Sequence, residues 1–166
     1  MKLPSEQFRT VVRDTVLVSL DLLILNDENE VLLGRRLNSP AKGFLFVPGG
    51  RIYKGEGPEA ALRRISKQEV GIQFTARDTS LYGIYHHLYP DTFFGDLEIG
   101  ATEYIVIACL LRWGGEKTFT HDSQHDGLRF IPVNTVPSHP EIHDITKAYF
   151  MEHPSNAFLF AHRQDI

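Results

Sequence analysis

Between Phe44 and Gly71 a short apolar strand, a glycine break and an unbroken helix follow one another, and this succession constrains the chain more than any other segment. Phe44-Leu45-Phe46-Val47 reads as a strand stopped by Pro48-Gly49-Gly50, where a backbone without side chains can approach a ligand closely. Pro58 suits the first turn of a helix, because it lacks an N–H that the first turn leaves unpaired anyway. Residues 59–70 then contain no breaker until Gly71 closes the run. Around that helix Ala61, Leu62 and Ile65 share an apolar stripe, and Glu69 lands within it. A carboxylate so placed is partly buried, which is costly unless it is paired or bound to a cation. Glu69 therefore reads as a magnesium ligand or as the partner of Arg64 or another Arg.

The flanking segments supply a sheet. Residues 17–25 form a long apolar strand, Asn26-Asp27-Glu28-Asn29 is rich in turn formers, and residues 31–36 return as the hairpin partner. Residues 81–89 and 104–113 read as strands around a loop holding Pro90, Gly95 and Gly100, and residues 128–131 as a further short strand. Residues 137–140 are a connector, and residues 141–152 a terminal helix ending before Pro154. The pattern is α/β, a mixed sheet with helices on its faces, in one domain over residues 1–166.

Charge excludes some partners. A net charge of −4 offers no general attraction to nucleic acid or to an anionic membrane, so a polyanionic ligand must be met by a local cluster of Arg. The sole cysteine, Cys109, lies in an apolar run with no disulfide partner, which fits a reducing cytoplasm. The N-terminus lacks the apolar stretch of a signal peptide, and no apolar run approaches membrane-spanning length.

Gly50, Glu56, Arg64, Glu69, Gly71 and Ile72 fall in register with a known spacing, and the segment resembles the Nudix signature. Three positions depart from it: Ile65 stands where the family has its first Glu, Ser66 replaces an apolar residue, and Gln68 replaces a metal-binding Glu. Among Nudix proteins this depleted box is similar to the GDP-mannose mannosyl hydrolase branch. The resemblance sharpens the fold to a Nudix α/β/α sandwich with a mixed β-sheet between helices.

The resemblance also implies a site. Its metal, Mg²⁺ with Mn²⁺ as a substitute, is held by the backbone carbonyl of Gly49 and by Glu69 and Gln124. His125, in Ser123-Gln124-His125-Asp126, is the expected catalytic base, a task suited to His near neutral pH. Without the resemblance, a lone His in a polar loop is more often a bystander. Arg36, Arg51 and Arg64 offer forked donors to a diphosphate, while Arg35, adjacent on the strand, faces the other way. Asp21, in an otherwise apolar strand, reads as half of an internal ion pair or, by the resemblance, as a group that orients mannose hydroxyls. Phe8, His87 and Tyr104 align with positions near the nucleotide, Tyr104 reaching in from the partner of a homodimer; core or interface packing is the plain alternative for Phe8 and Tyr104. Glu56 is expected to brace the box through Arg64, or is simply an acid at a helix N-terminus.

The implied activity is Mg-dependent hydrolysis of GDP-mannose to GDP and free sugar, by attack of water at the anomeric carbon with inversion. GDP-glucose or another nucleotide sugar stays open as substrate. So do two other readings: a pyrophosphatase attacking phosphorus, and a binding module that regulates a partner without turnover.

Overall fold

The computed structural model describes residues 3–39, 41–90, 94, 101–115, 119, 125–151 and 157–158, with the backbone alone at 125, 126, 157 and 158. Strand β1 (Leu17–Asn26) is its axis. Except at Val18 and Asp21 its residues are buried, as expected for a strand covered on both faces. It turns through Asn29, whose φ of 56° is in the left-handed region that Asn tolerates, into β2 (Glu30–Arg36). Asn26 secures that turn by accepting from the Glu30 N–H at 2.8 Å.

Strand β1 changes partner along its length. Its end pairs with β2 at Leu25 and Val31, whereas Ser19, Leu20 and Asp21 pair antiparallel with Arg51, Gly50 and Gly49 of β4 (Gly49–Arg51). On its other edge β1 runs parallel to β6 (Thr102–Trp113), which pairs antiparallel with β5 (Thr79–Tyr89). The sheet order is β3 (Leu45–Phe46), β2, β1, β6, β5, β8 (Ala157–Phe158), with β4 on β1 and β7 (His125–Pro132) on β2. The sheet is mixed, as the sequence predicts.

Alternation along β1 divides the core into two layers. Leu20, Leu22 and Ile24 face helix α2 (Pro58–Val70) and meet Ala61, Leu62, Ile65 and Val70. Leu23 and Leu25 face the opposite side, against Tyr82, Tyr85, Val136, Ile142 and Tyr149. Gly71 closes α2 with φ 79°, the left-handed cap that glycine adopts without penalty. Ser66, the polar residue in an apolar slot, is fully buried because its Oγ accepts from the Phe74 N–H at 2.9 Å and fastens the chain leaving the helix.

Strands β4 and β8 and the 3-10 turns Ala76–Asp78 and Val133–Ser138 add to what the sequence predicts, and two helices differ from it. A helix α1 (Ser5–Asp14) precedes the first strand, with Val12 buried and Phe8 and Val11 packed beside Phe94 and Tyr104. The expected helix over 141–152 shortens to α3 (Asp144–Lys147) followed by one 3-10 turn, Ala148–Phe150. The reason is a long-range pairing: Leu45 donates to the Glu141 carbonyl at 2.8 Å and accepts from the His143 N–H at 3.3 Å, bridging to Ile142 and keeping residues 141–143 out of the helix. Among the described residues no helix is long and apolar enough to cross a membrane.

Candidate active site

A cleft of about 380 Å³ opens where β4 takes over the edge of β1, with α2 as one wall and the sheet as the other. It is lined by Asp21, Arg36, Gly49, Arg51, Arg64, Glu69, His87 and Tyr104, all of them site candidates from the sequence. Phe8 lies just outside, its ring centroid 3.8 Å from the Arg51 guanidinium carbon. Gln124 and the side chain of His125 lie outside the described residues. The His125 backbone pairs opposite Arg36, after a register shift at the neighbouring Gly34 and Arg35. Residues 91–93 and 95–100, most of the loop expected between two strands, are also outside the described residues.

On the helix wall the charges are joined to one another. Arg64 donates from Nε and Nη2 to both oxygens of Glu56 at 2.6 and 2.8 Å, from Nη2 to the Arg51 carbonyl at 2.8 Å, and from Nη1 to Gln68 Oε1 at 3.0 Å. Its plane also lies over the Tyr53 ring, 4.2 Å from the centroid. The Arg64 hydrogen bond, with a further one from the Tyr53 N–H, holds the Glu56 carboxyl down at about 2. Arg64 thus braces the Gly49-to-Glu56 loop against the helix, and Gln68, where the signature has a Glu, serves as one of its acceptors. Ile65, another of the three departures, is 1% exposed and packs beneath Gly50, where an added Cβ would meet its Cγ1 at 3.2 Å.

Arg36 and Arg51 are held differently. Neither enters an ion pair among the described residues, and each is backed by aromatic rings: Arg51 by Phe8, Arg36 by Phe46 at 5.1 Å and Tyr89 at 5.9 Å. Aromatic backing orients a guanidinium and leaves N–H donors for an incoming anion, although Arg36 also bonds the Tyr89 hydroxyl. Arg35 faces away, bonded to the Gly43 carbonyl and Glu141.

The sheet wall carries a buried carboxylate beside a neutral ring. Asp21, opposite Gly49 in the β1–β4 pairing, accepts at Oδ2 from the Tyr149 hydroxyl at 2.7 Å. Burial pushes its carboxyl up to about 6, Glu69 adding to that shift, against the Tyr149 hydrogen bond and the nearby Arg36 charge. The internal ion pair that the sequence offered as an alternative is thus replaced by a bond to a neutral hydroxyl. His87, only 2% exposed, is pushed down to about 3 by burial and then by His143 and His86, so its ring is neutral near pH 7. Gly49 must be glycine, because a Cβ there would fall 2.5 Å from Asp21 Oδ1 and 2.8 Å from the Leu20 carbonyl. Tyr104, opposite His87 in the β5–β6 pairing, lines the cleft of its own chain, so its place there needs no second copy.

The donors fit a hydrated magnesium ion. Glu69, four-hundredths exposed, faces the cleft near enough to Asp21 for the two charges to oppose each other, and the bare backbone of Gly49 lies beside Asp21. Among the described residues no group of three or more His, Cys, Asp or Glu could hold a metal. Magnesium accepts that, keeping several waters and taking one or two carboxylates plus substrate phosphates. The sequence did not reveal Tyr149 or Tyr53 as parts of this site; the Ala-Tyr-Phe run of residues 148–150 carries no local signal of it.

A NUDIX domain profile matches residues 16–153. The low-salt glycan biosynthesis protein Agl8 of Haloferax volcanii is 33% identical over 142 residues, 85% of this chain and 86% of that protein. An ADP-ribose pyrophosphatase of Methanocaldococcus jannaschii is 39% identical over 62 residues, 37% of this chain and 36% of that protein. Among solved structures, a MutT NUDIX hydrolase from Burkholderia pseudomallei superimposes with a TM-score of 0.65 at 22% identity, over 82% of this chain and 97% of that one.

Proposed function

This chain belongs to the Nudix hydrolase superfamily, whose members hydrolyse nucleoside diphosphate derivatives, and from that premise we propose that it is a GDP-mannose hydrolase releasing GDP and free sugar. One observation carries the reading. The helix that ordinarily supplies several carboxylates offers Glu69 but has Ile65 and Gln68 at two acidic positions, while a separate carboxylate, Asp21, lies across the cleft on the sheet. A site thinned in this way is poorly built to gather several cations around a phosphorus, and it retains a second polar wall for a sugar.

In this reading Arg36 and Arg51 grip the diphosphate, and Arg64 keeps the loop that carries Arg51 in place. Asp21 meets the sugar hydroxyls; His87, expected near the nucleotide, is assigned to the sugar beside it because both contact the Tyr149 hydroxyl, and Phe8 and Tyr104 flank the nucleotide. Glu69, the Gly49 carbonyl and Gln124 would hold Mg²⁺, with Mn²⁺ as a substitute, and the ion would supply charge screening for the departing diphosphate. With its charge met by Arg36 and Arg51 as well, GDP is a competent leaving group without a strong general acid. His125 takes a proton from the attacking water, whose oxygen bonds to C1 as the C1–O bond to the diphosphate breaks. Entry opposite the leaving group inverts the centre, so α-linked mannose departs as the β-anomer. The haloarchaeal relative is named as a glycan biosynthesis protein, which supports a sugar-bearing substrate. The reading extends to GDP-glucose as a second substrate, to a homodimer and to a cytoplasmic setting.

A second reading, cleavage between the phosphates, is supported by the ADP-ribose pyrophosphatase that matches over 62 residues. Proton NMR of a GDP-mannose reaction separates the two. β-Mannose appearing first, with the α-anomer following by mutarotation, supports the proposal; mannose 1-phosphate with GMP overturns it.

A further inference from the structure

Tyr149 stands outside every motif read from the sequence, yet it joins the two polar groups of the sheet wall. It comes from the 3-10 turn Ala148–Phe150, is 2% exposed, and reaches Asp21 across a separation of 128 residues. Its hydroxyl donates to Asp21 Oδ2 at 2.7 Å and lies 3.3 Å from His87 Nε2. A phenol has one proton to give. With that proton on Asp21, the contact with His87 requires an Nε2–H donating to the phenol oxygen. A neutral imidazole protonated at Nε2 keeps Nδ1 as its acceptor. The tyrosine is itself fixed: Tyr82 donates to its carbonyl at 2.6 Å, and its ring meets Tyr85 edge-on at 4.7 Å.

We propose that Tyr149 is a positioning residue that links His87 and Asp21 into one directed hydrogen-bond chain, His87 to Tyr149 to Asp21, presenting a carboxylate oxygen and an imidazole nitrogen as acceptors for sugar hydroxyls. The link to sugar rests on the function proposed above; the direction of the chain does not. The chain makes the sheet wall an acceptor surface, matched to a ligand rich in hydroxyl donors, and sets it apart from the cationic fork of Arg36 and Arg51. Tyr149 thereby acts on the sugar half of the substrate and leaves the nucleotide half alone.

Tyr149→Phe removes one hydroxyl and keeps the ring. It is expected to lower kcat/KM for GDP-mannose by about tenfold, the loss of one hydrogen bond to a charged group, while GDP binds within about twofold of wild type. In the double variant with Asp21→Asn the losses should not multiply, because both changes break the same chain. Unchanged kcat/KM, equal weakening of GDP, or multiplying losses would overturn the proposal. Nitrogen-15 NMR of the His87 ring in the ligand-free wild type gives a reading independent of turnover. A proton on Nε2 that shifts its signal in Tyr149→Phe supports the chain, and a proton on Nδ1 overturns it. Failure of the wild type to hydrolyse GDP-mannose would instead sink the assigned function, leaving the NMR result to decide the chain.

Discussion

The two walls of the cleft hold their carboxylates in opposite ways. On the helix, Glu56 is clamped by the forked cation of Arg64 and held at about 2. On the sheet, Asp21 is buried, held by the neutral hydroxyl of Tyr149 and pushed up to about 6. The helix wall thus uses its paired charge to fix a backbone loop, and the sheet wall keeps a polar group facing the cleft. Residues of the cleft are therefore not interchangeable: Glu56 and Arg64 fasten a loop to the helix, whereas Glu69 and Asp21 line the cleft itself.

Substitutions can break that division. The largest effect is expected at His125, where Gln should lower kcat by about 10²–10⁴-fold, the range of general acid–base catalysis, with little change in substrate affinity. Steady-state kinetics with direct binding measures both. Next, Glu69→Gln should raise the magnesium needed for half-maximal rate by at least about tenfold, read from a metal titration of turnover. If Glu69 served only to brace the helix, the midpoint would stay where it is while stability fell.

Glu56→Gln tests the other side. Removing a charged partner from Arg64 should cost about 1–3 kcal/mol of unfolding free energy in a denaturant titration. The sign of the pH effect follows from the depressed carboxyl: its stabilisation is complete above the ordinary value near 4.5 and is lost as pH falls toward about 2. Wild type should therefore lose stability through that window more steeply than Glu56→Gln, and parallel melting curves would deny the clamp. Arg63, exposed and paired with Glu59 one turn away, marks the bottom of the scale; Arg63→Ala should change stability by only about 0.2–1 kcal/mol.

The helix wall was legible because its signals are local. Gly49-Gly50, Pro58 and Gly71 mark breaks by their own backbone chemistry, and the helical period alone predicts burial of Ile65 and Glu69, which are 1% and 4% exposed. The sheet wall was legible only in part. Asp21 stood out as an acid among apolar neighbours, but its partner lies 128 residues further on, in a turn that reads as an ordinary amphipathic helix end. The same long-range character misled at residues 141–143, where pairing with Leu45 overrides helical pattern. Helix α1 did leave a trace, Phe8 followed by Val11 and Val12 at helical spacing, too short to separate from a strand.

The central claim is that the thinned helix and the polar sheet wall together direct water to carbon. Turnover of GDP-mannose with magnesium in oxygen-18 water, followed by mass spectrometry of both products, tests it most directly. The account predicts one labelled oxygen in mannose and none in GDP. Label in a phosphate would contradict it and return the enzyme to attack at phosphorus.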